Sequence, residues 1–232
     1  MDIGLFPILI VFMIISWLVG MRLKSKFTEY SKIPTSSGLS GAEVAEKMLR
    51  ENRIFDVQVT CVDGQLTDHY NPVNKTINLS RDVYQGRNVA AAAVAAHECG
   101  HAVQHATAYA LLQFRTAIVP VVNFSSTIMN FIFIASMFMG FMSIFNVEQI
   151  LWVIVIAQGA ITLFSLVTLP VEIDASNRAL VWLEGTRITR GVETDKAKHA
   201  LRLAGYTYMI AALAALTTLI YFILRLLASR RD

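Results

Sequence analysis

Four stretches of this chain run too long without a charged side chain for an ordinary soluble core: Ile3–Met21, Thr116–Val147, Gln149–Val171 and Leu203–Leu224. A helix needs about 20 apolar residues to cross the hydrocarbon of a bilayer. No water is present there, so a single segment must satisfy its own backbone polar groups, and a helix does so. The chain therefore reads as a mainly α membrane protein with three to four transmembrane helices. Composition agrees: of 232 residues, 55% are hydrophobic and only 16% are charged, where soluble domains carry about 25% charged residues. The net charge is +3 and no basic run is interleaved with aromatics, so no nucleic acid partner is expected. Cys61 and Cys99 form neither a CxxC pair nor a disulfide framework.

Charge placement orients the spans. Asp2 precedes the first stretch, whereas Arg22, Lys24 and Lys26 follow it, and no small-x-small cleavage site ends it. A retained anchor is expected over residues 1–22, with its N-terminus outside and the next segment in the cytoplasm. Asn146–Gln149 lacks Lys and Arg, as an external turn should, and Arg178, Arg187, Arg190, Lys196 and Lys198 return to the inside. Arg230 and Arg231 run against the rule, because a fully crossing fourth helix puts them outside.

The first long non-membrane segment is 23–115. It opens on the linker FTEYSKIPTSSGLSG, rich in turn formers. Ser40 and Glu43 then have capping-box spacing, predicting a helix to about Asn52 with Val44, Ala45, Met48 and Leu49 on its apolar face. VQVTCV (57–62) and KTINLS (75–80) read as strands, with a turn through Gly64 after the first. KTINLS is the strand expected to offer an edge to an extended peptide. Asn88 is the predicted N-cap of a helix to about Leu112.

That helix contains AAAVAAHECGHAVQHA, an Ala- and Val-rich run interrupted by His97, Glu98, His101 and His105. His97-Glu98-Cys99-Gly100-His101 fits H-E-x-x-H. Residues four apart on a helix are offset by about 40° and about 6 Å, so both imidazoles reach one metal ion. The glutamate is turned by about 100° and faces a water on the metal, where it serves as general base. Zinc suits neutral imidazoles in an open catalytic site. Gly100 keeps the helix surface open and Cys99 packs behind it. His105 lies about 12 Å along the axis from His97, too far to share an ion in an unbroken helix, which leaves it a supporting role. His69 and His199 are isolated in sequence.

A third ligand is expected from PVEIDASNRAL (170–180), where Pro170 marks a helix entrance and Glu172 is the first charge after the third stretch. The hairpin of the second and third spans returns Glu172 to the side of the H-E-x-x-H helix. A carboxylate there also suits simple exposure at the membrane interface.

The anchor, GAEVAEKML, LTDHYNP, INLSRDVYQGRNVAAAAVAAHECGHAVQH and PVEIDASNRAL together resemble the YugP-like neutral zinc metallopeptidases, a bacterial membrane family. The likeness extends more distantly to HtpX-like and CAAX-protease-like membrane gluzincins, and it covers nearly the whole chain. It implies a small α+β gluzincin-type zinc metallopeptidase domain and a third zinc ligand from E-x-x-A-D-x-x-A. Here that motif reads Glu172-Ile173-Asp174-Ala175-Ser176-Asn177-Arg178-Ala179, with Ser176 in place of the Asp that orients a ligating histidine. Ser176, Asp174 or Asn177 takes over that duty.

The organisation expected is an anchor (1–22), a metallopeptidase segment (23–115), a transmembrane hairpin (116–171), a third-ligand helix with a cytoplasmic segment (172–202) and a C-terminal helix with a basic tail (203–232). The function expected is a zinc-dependent metalloendopeptidase of the bacterial plasma membrane with its site facing the cytoplasm. Zn2+ is held by His97, His101 and Glu172, and Glu98 is catalytic. The expected partners are a peptide or membrane-protein substrate and membrane lipid. The alternative is a membrane scaffold or chaperone-like protein whose metal only stabilises the fold, in which Glu98 is dispensable. A metal-handling protein would need more polar residues within the spans than Gln158 and its few companions.

Overall fold

The computed structural model describes residues 4–137 and 147–230. It is mainly helical, with four long apolar helices and a three-stranded sheet. The long helices are α1 (Leu5–Tyr30), α5 (Ala110–Met137), α6 (Val147–Gly185) and α7 (Val192–Ala228). Each is long and apolar enough to cross a membrane. Asn146 of the expected external turn (146–149) and the tail position 231 lie outside the described residues, while 147–149 open α6.

The long helices overrun the uncharged stretches that announced them. α1 continues through Tyr30, so the first four residues of the expected linker are helical. Pro170 stands inside α6 rather than at a helix entrance, and α7 begins eleven residues before the fourth uncharged stretch. Hydropathy reports which solvent surrounds a segment, whereas helix ends depend on where backbone groups find caps. Leaving the bilayer does not oblige a helix to stop.

Two compact units divide the chain. One holds the described residues within 1–18, 114–169 and 207–232. Two of its buried polar side chains bond across α6 and α7: Gln158 Nε2 donates to Ala215 O (3.1 Å), as does Thr162 Oγ1 (3.1 Å). Arg230 Nε meets Glu148 Oε1 at 2.9 Å and its guanidinium lies over Trp152. This pairing neutralises one of the two tail arginines that run against the charge rule.

The second unit comprises residues 19–113 and 170–206. Helix α2 (Gly41–Glu51) starts at Ser40 with the full capping box: Ser40 Oγ accepts from Glu43 N, and Glu43 Oε2 accepts from Ser40 N. The sheet has the order β1 (Gln58–Val62), β3 (Thr76–Ser80), β2 (His69–Asn71), with β1 parallel and β2 antiparallel to β3. KTINLS is therefore the central strand, paired on both sides, and offers no free edge. The sequence reading missed β2, which is only three residues long and too short for a periodic signal. Asp68 holds its start in place by accepting from Ser80 N (2.7 Å) and Ser80 Oγ. Burial pushes the Asp68 carboxyl up from its ordinary value, and the Ser80 hydrogen bonds partly offset this. Ser80 begins the five-residue helix α3 (Arg81–Gln85).

Helix α4 (Val89–Ala106) is capped by the Asn88 side chain, which accepts from Ala91 N at 2.9 Å. It ends six residues before the expected Leu112. Ala108 takes a left-handed conformation (φ 52°), Ala108 N donates to His105 O, and Tyr109 N donates to Gln104 O. These two bonds make a Schellman closure built without the usual glycine. α2 and α6 finish the same way, with Arg53 and Arg187 in the left-handed position. None of the three stops carries the glycine by which sequence marks a helix end.

The core of this unit is α4 wrapped by α2, the sheet and part of α6, centred on Ala91–Ala96, Cys99, Ile77, Leu79, Met48 and Leu183. Cys99 is fully buried and its thiol reaches Ala45 O, so burial raises its pKa well above the ordinary value. At Gly100 α4 meets α6 backbone to backbone: a Cβ added there would stand 2.5 Å from Ala175 O and 3.1 Å from its Cα. Gly100→Ala is accordingly expected to destabilise the protein by about 1–3 kcal/mol, read as a lower thermal midpoint in detergent. Gly205→Ala, inside α7 with nothing within 4 Å of the new atom, is the comparison that should leave the protein at least as stable as wild type.

Candidate metal centre

The contact at Gly100 and Ala175 brings two helix faces together. α4 contributes His97 and His101, one turn apart, and α6 contributes Glu172, one turn before Ser176. Glu172 Oε2 lies 3.3 Å from His97 Nε2 and 3.4 Å from His101 Nε2, and the three donor atoms all fall within 4.8 Å of one another. His101 and Glu172 are buried and His97 is half-buried. Glu172 thus belongs to this cluster and is not merely exposed at an interface.

The far side of each ring decides what the near side presents. His101 Nδ1 meets Gln104 Oε1 at 3.0 Å, and Gln104 Nε2 donates to Val171 O (2.8 Å) and Asp174 Oδ2 (2.7 Å). Both amide hydrogens are therefore engaged, so the oxygen faces the ring and Nδ1 carries the proton. In the neutral ring Nε2 then turns a lone pair toward the Glu172 carboxylate. His97 Nδ1 lies 3.1 Å from Ser176 Oγ. Ser176 is thus the residue of the three candidates that contacts a ring of the cluster directly, while Asp174 reaches the site through Gln104 and is itself held by Arg178 Nε at 2.6 Å.

Lone pairs converging in a buried space repel unless a cation lies between them. A tetrahedral zinc ion with bonds of about 2.0–2.1 Å separates neighbouring ligands by about 3.3–3.4 Å, which is the spacing found from each imidazole to the carboxylate. Two imidazoles and one carboxylate also suit zinc with an open fourth position. Burial works against a charged His101, but hydrogen bonding to Glu172 and the negative charges of Glu98 and Glu172 outweigh it and raise its proton affinity. The residues present fit a divalent metal ion.

Glu98 is buried next to His97, and its Oε2 accepts from Tyr70 N at 2.9 Å. Tyr70 belongs to the edge strand β2, and its phenol lies 2.7 Å from His105 Nδ1. His105 is thus engaged with β2 and stands outside the cluster. His69 Nδ1 contacts Thr67 O, and His199 Nδ1 contacts the Tyr30 hydroxyl. Gln104 and Tyr70 escaped the sequence reading. A glutamine three residues past a histidine signals nothing unless its amide is known to be buried, and Tyr70 acts through a backbone N–H that every residue but proline carries.

The chain matches the family model described as "Putative neutral zinc metallopeptidase" over residues 5–227. It is 38% identical over 218 residues to the Bacillus subtilis (strain 168) protein named "Putative membrane protease YugP", covering 94% of each chain. No solved structure matches it at a significant level. With nearly every residue inside the match, this chain, which carries a His-His-Glu cluster suited to zinc and four long apolar helices, belongs to the neutral zinc metallopeptidase family of that model.

Proposed function

We propose that the protein is a zinc-dependent metalloendopeptidase of the plasma membrane, in which His97, His101 and Glu172 hold the metal and Glu98 is the general base. The observation that carries this reading is the convergence of three donor atoms 3.3 and 3.4 Å apart beside a buried, oriented carboxylate. Bound zinc would supply Lewis acidity toward water and toward the scissile carbonyl. The protein groups do the rest. Ser176 and Gln104 hold the far nitrogens of the two imidazoles. Tyr70 N–H fixes one oxygen of Glu98, leaving the other to take a proton from the attacking water and pass it to the leaving amine. Substrates are extended segments of peptides or membrane proteins, lying beside the edge strand β2 that carries Tyr70.

The site opens to the cytoplasm in this reading, because Arg22, Lys24 and Lys26 follow the first span and five basic residues follow the third. Residues 23–115 and 172–202 share one compartment, in keeping with the bonds from Ser36 N and Oγ to Glu193 Oε1. Cysteine labelling at positions 37 and 190 is expected to report the cytoplasmic side for both; labelling on opposite sides would end the three-ligand reading.

Metal analysis checks the ligand set. Glu172→Ala is expected to lose most bound zinc, and His105→Ala to keep it, since His105 bonds Tyr70 and stands apart from the cluster. Glu98→Gln separates catalysis from structure. It keeps an oxygen for Tyr70 N–H and should retain one zinc and the wild-type fold, while hydrolysis of casein or a peptide falls by about 10²–10⁴-fold. Unchanged cleavage by this variant would reduce the cluster to a structural metal site.

A further inference from the structure

Gln104 is the one fully buried side chain among the described residues that joins the two helices of the cluster through polar bonds at both ends. Its amide oxygen holds His101 Nδ1 on α4. Its amide nitrogen holds Val171 O and Asp174 Oδ2 on α6, the residue before Glu172 and the residue two after it. We propose that Gln104 is the positioning residue of the metal centre: one amide fixes the His101 tautomer and also sets the position of the α6 turn that presents Glu172. The inference rests on the reading of His97, His101 and Glu172 as ligands.

A glutamine amide has two hydrogens and one carbonyl oxygen, and all are committed here. Reversing the amide would set its oxygen against Val171 O and a carboxylate, and would also present hydrogens to a ring nitrogen whose own proton would move to Nε2. That tautomer removes the lone pair facing Glu172. The glutamine therefore couples two requirements in one side chain: the His101 tautomer and the position of the α6 turn. Ser176, the partner of His97, holds only one ring, and its hydroxyl rotates to donate or accept. The greater share of the site's organisation falls on Gln104.

Gln104→Met keeps the length and volume of the side chain and removes every polar bond. Gln104→Glu keeps an acceptor for His101 Nδ1 but turns oxygens toward Val171 O and Asp174, so it retains the hold on the ring and loses the hold on α6. Two quantities are measured on the full chain in detergent: the zinc dissociation constant by chelator competition, and the His101 tautomer in metal-free protein by ¹⁵N chemical shifts. Wild type is expected to bind zinc with His101 protonated at Nδ1. Gln104→Met should weaken zinc binding by about 10–100-fold and give a mixture of tautomers. Gln104→Glu should keep the Nδ1–H tautomer and still bind zinc more weakly than wild type.

Val103→Ala, one residue away in the core, controls for general loss of stability and should leave both quantities unchanged. If Gln104→Met fails to fold, Asp174→Ala decides in its place. It removes one α6 acceptor from a half-exposed position and should weaken zinc in the same direction by a smaller factor. Wild-type protein that binds no zinc would end the ligand reading itself. Zinc held as tightly by Gln104→Met as by wild type, or by Asp174→Ala where that variant stands in, would overturn the role of Gln104 and leave the ligands standing.

Discussion

The backbone contact between Gly100 of α4 and Ala175 of α6 is the constraint on which the rest of the second unit depends. With a carbonyl oxygen 2.5 Å from where a Cβ would stand, no other residue fits at position 100 without moving one helix. This approach is close enough for a short carboxylate on α6 to reach two imidazoles on α4. It is also close enough for a serine and a glutamine to bridge the helices on either side of the cluster. Glycine costs roughly 1 kcal/mol against alanine in a helix interior, and the packing and polar bonds of the contact offset that cost.

A buried cluster of this kind is stable only when every charge and lone pair has a counterpart. The layout shows how that is done. Outer nitrogens meet neutral partners, Gln104 and Ser176, while the carboxylate Asp174 is kept one bond further out and paired with Arg178. The formal negative charge nearest the donor atoms then belongs to Glu172 and Glu98. Glu98 is held through a backbone N–H of β2, so the position of the proposed general base follows from the pairing of a three-residue strand.

The alanine-rich character of α4 serves the same end. Small side chains let α2, the sheet and α6 close around it, with Ala91, Ala92, Ala93, Ala95 and Ala96 almost completely buried. The helix is apolar nearly all round without being a membrane span, because 18 residues interrupted by three histidines and a glutamate are a protein core rather than a lipid-facing surface.

What the sequence determined by itself is whatever repeats along the chain or follows from local geometry. Runs of about 20 uncharged residues read out the membrane class. The four-residue spacing of His97 and His101 put two imidazoles on one helix face, and Ser40 with Glu43 announced the start of α2. The end of α2 fell at Asn52 as the sequence announced, but the end of α4 was not legible, because Ala108 closes it in a conformation that sequence associates with glycine. Only the tertiary structure decided which strand lies at the sheet edge, which residue stands in for the missing Asp, and that Gln104 belongs to the site at all. The partners concerned are 67 residues apart for Gln104 and Val171 and 79 for His97 and Ser176. No periodicity spans such distances, and a buried hydrogen bond is selected by the packing of whole helices, which the local pattern of residues does not encode.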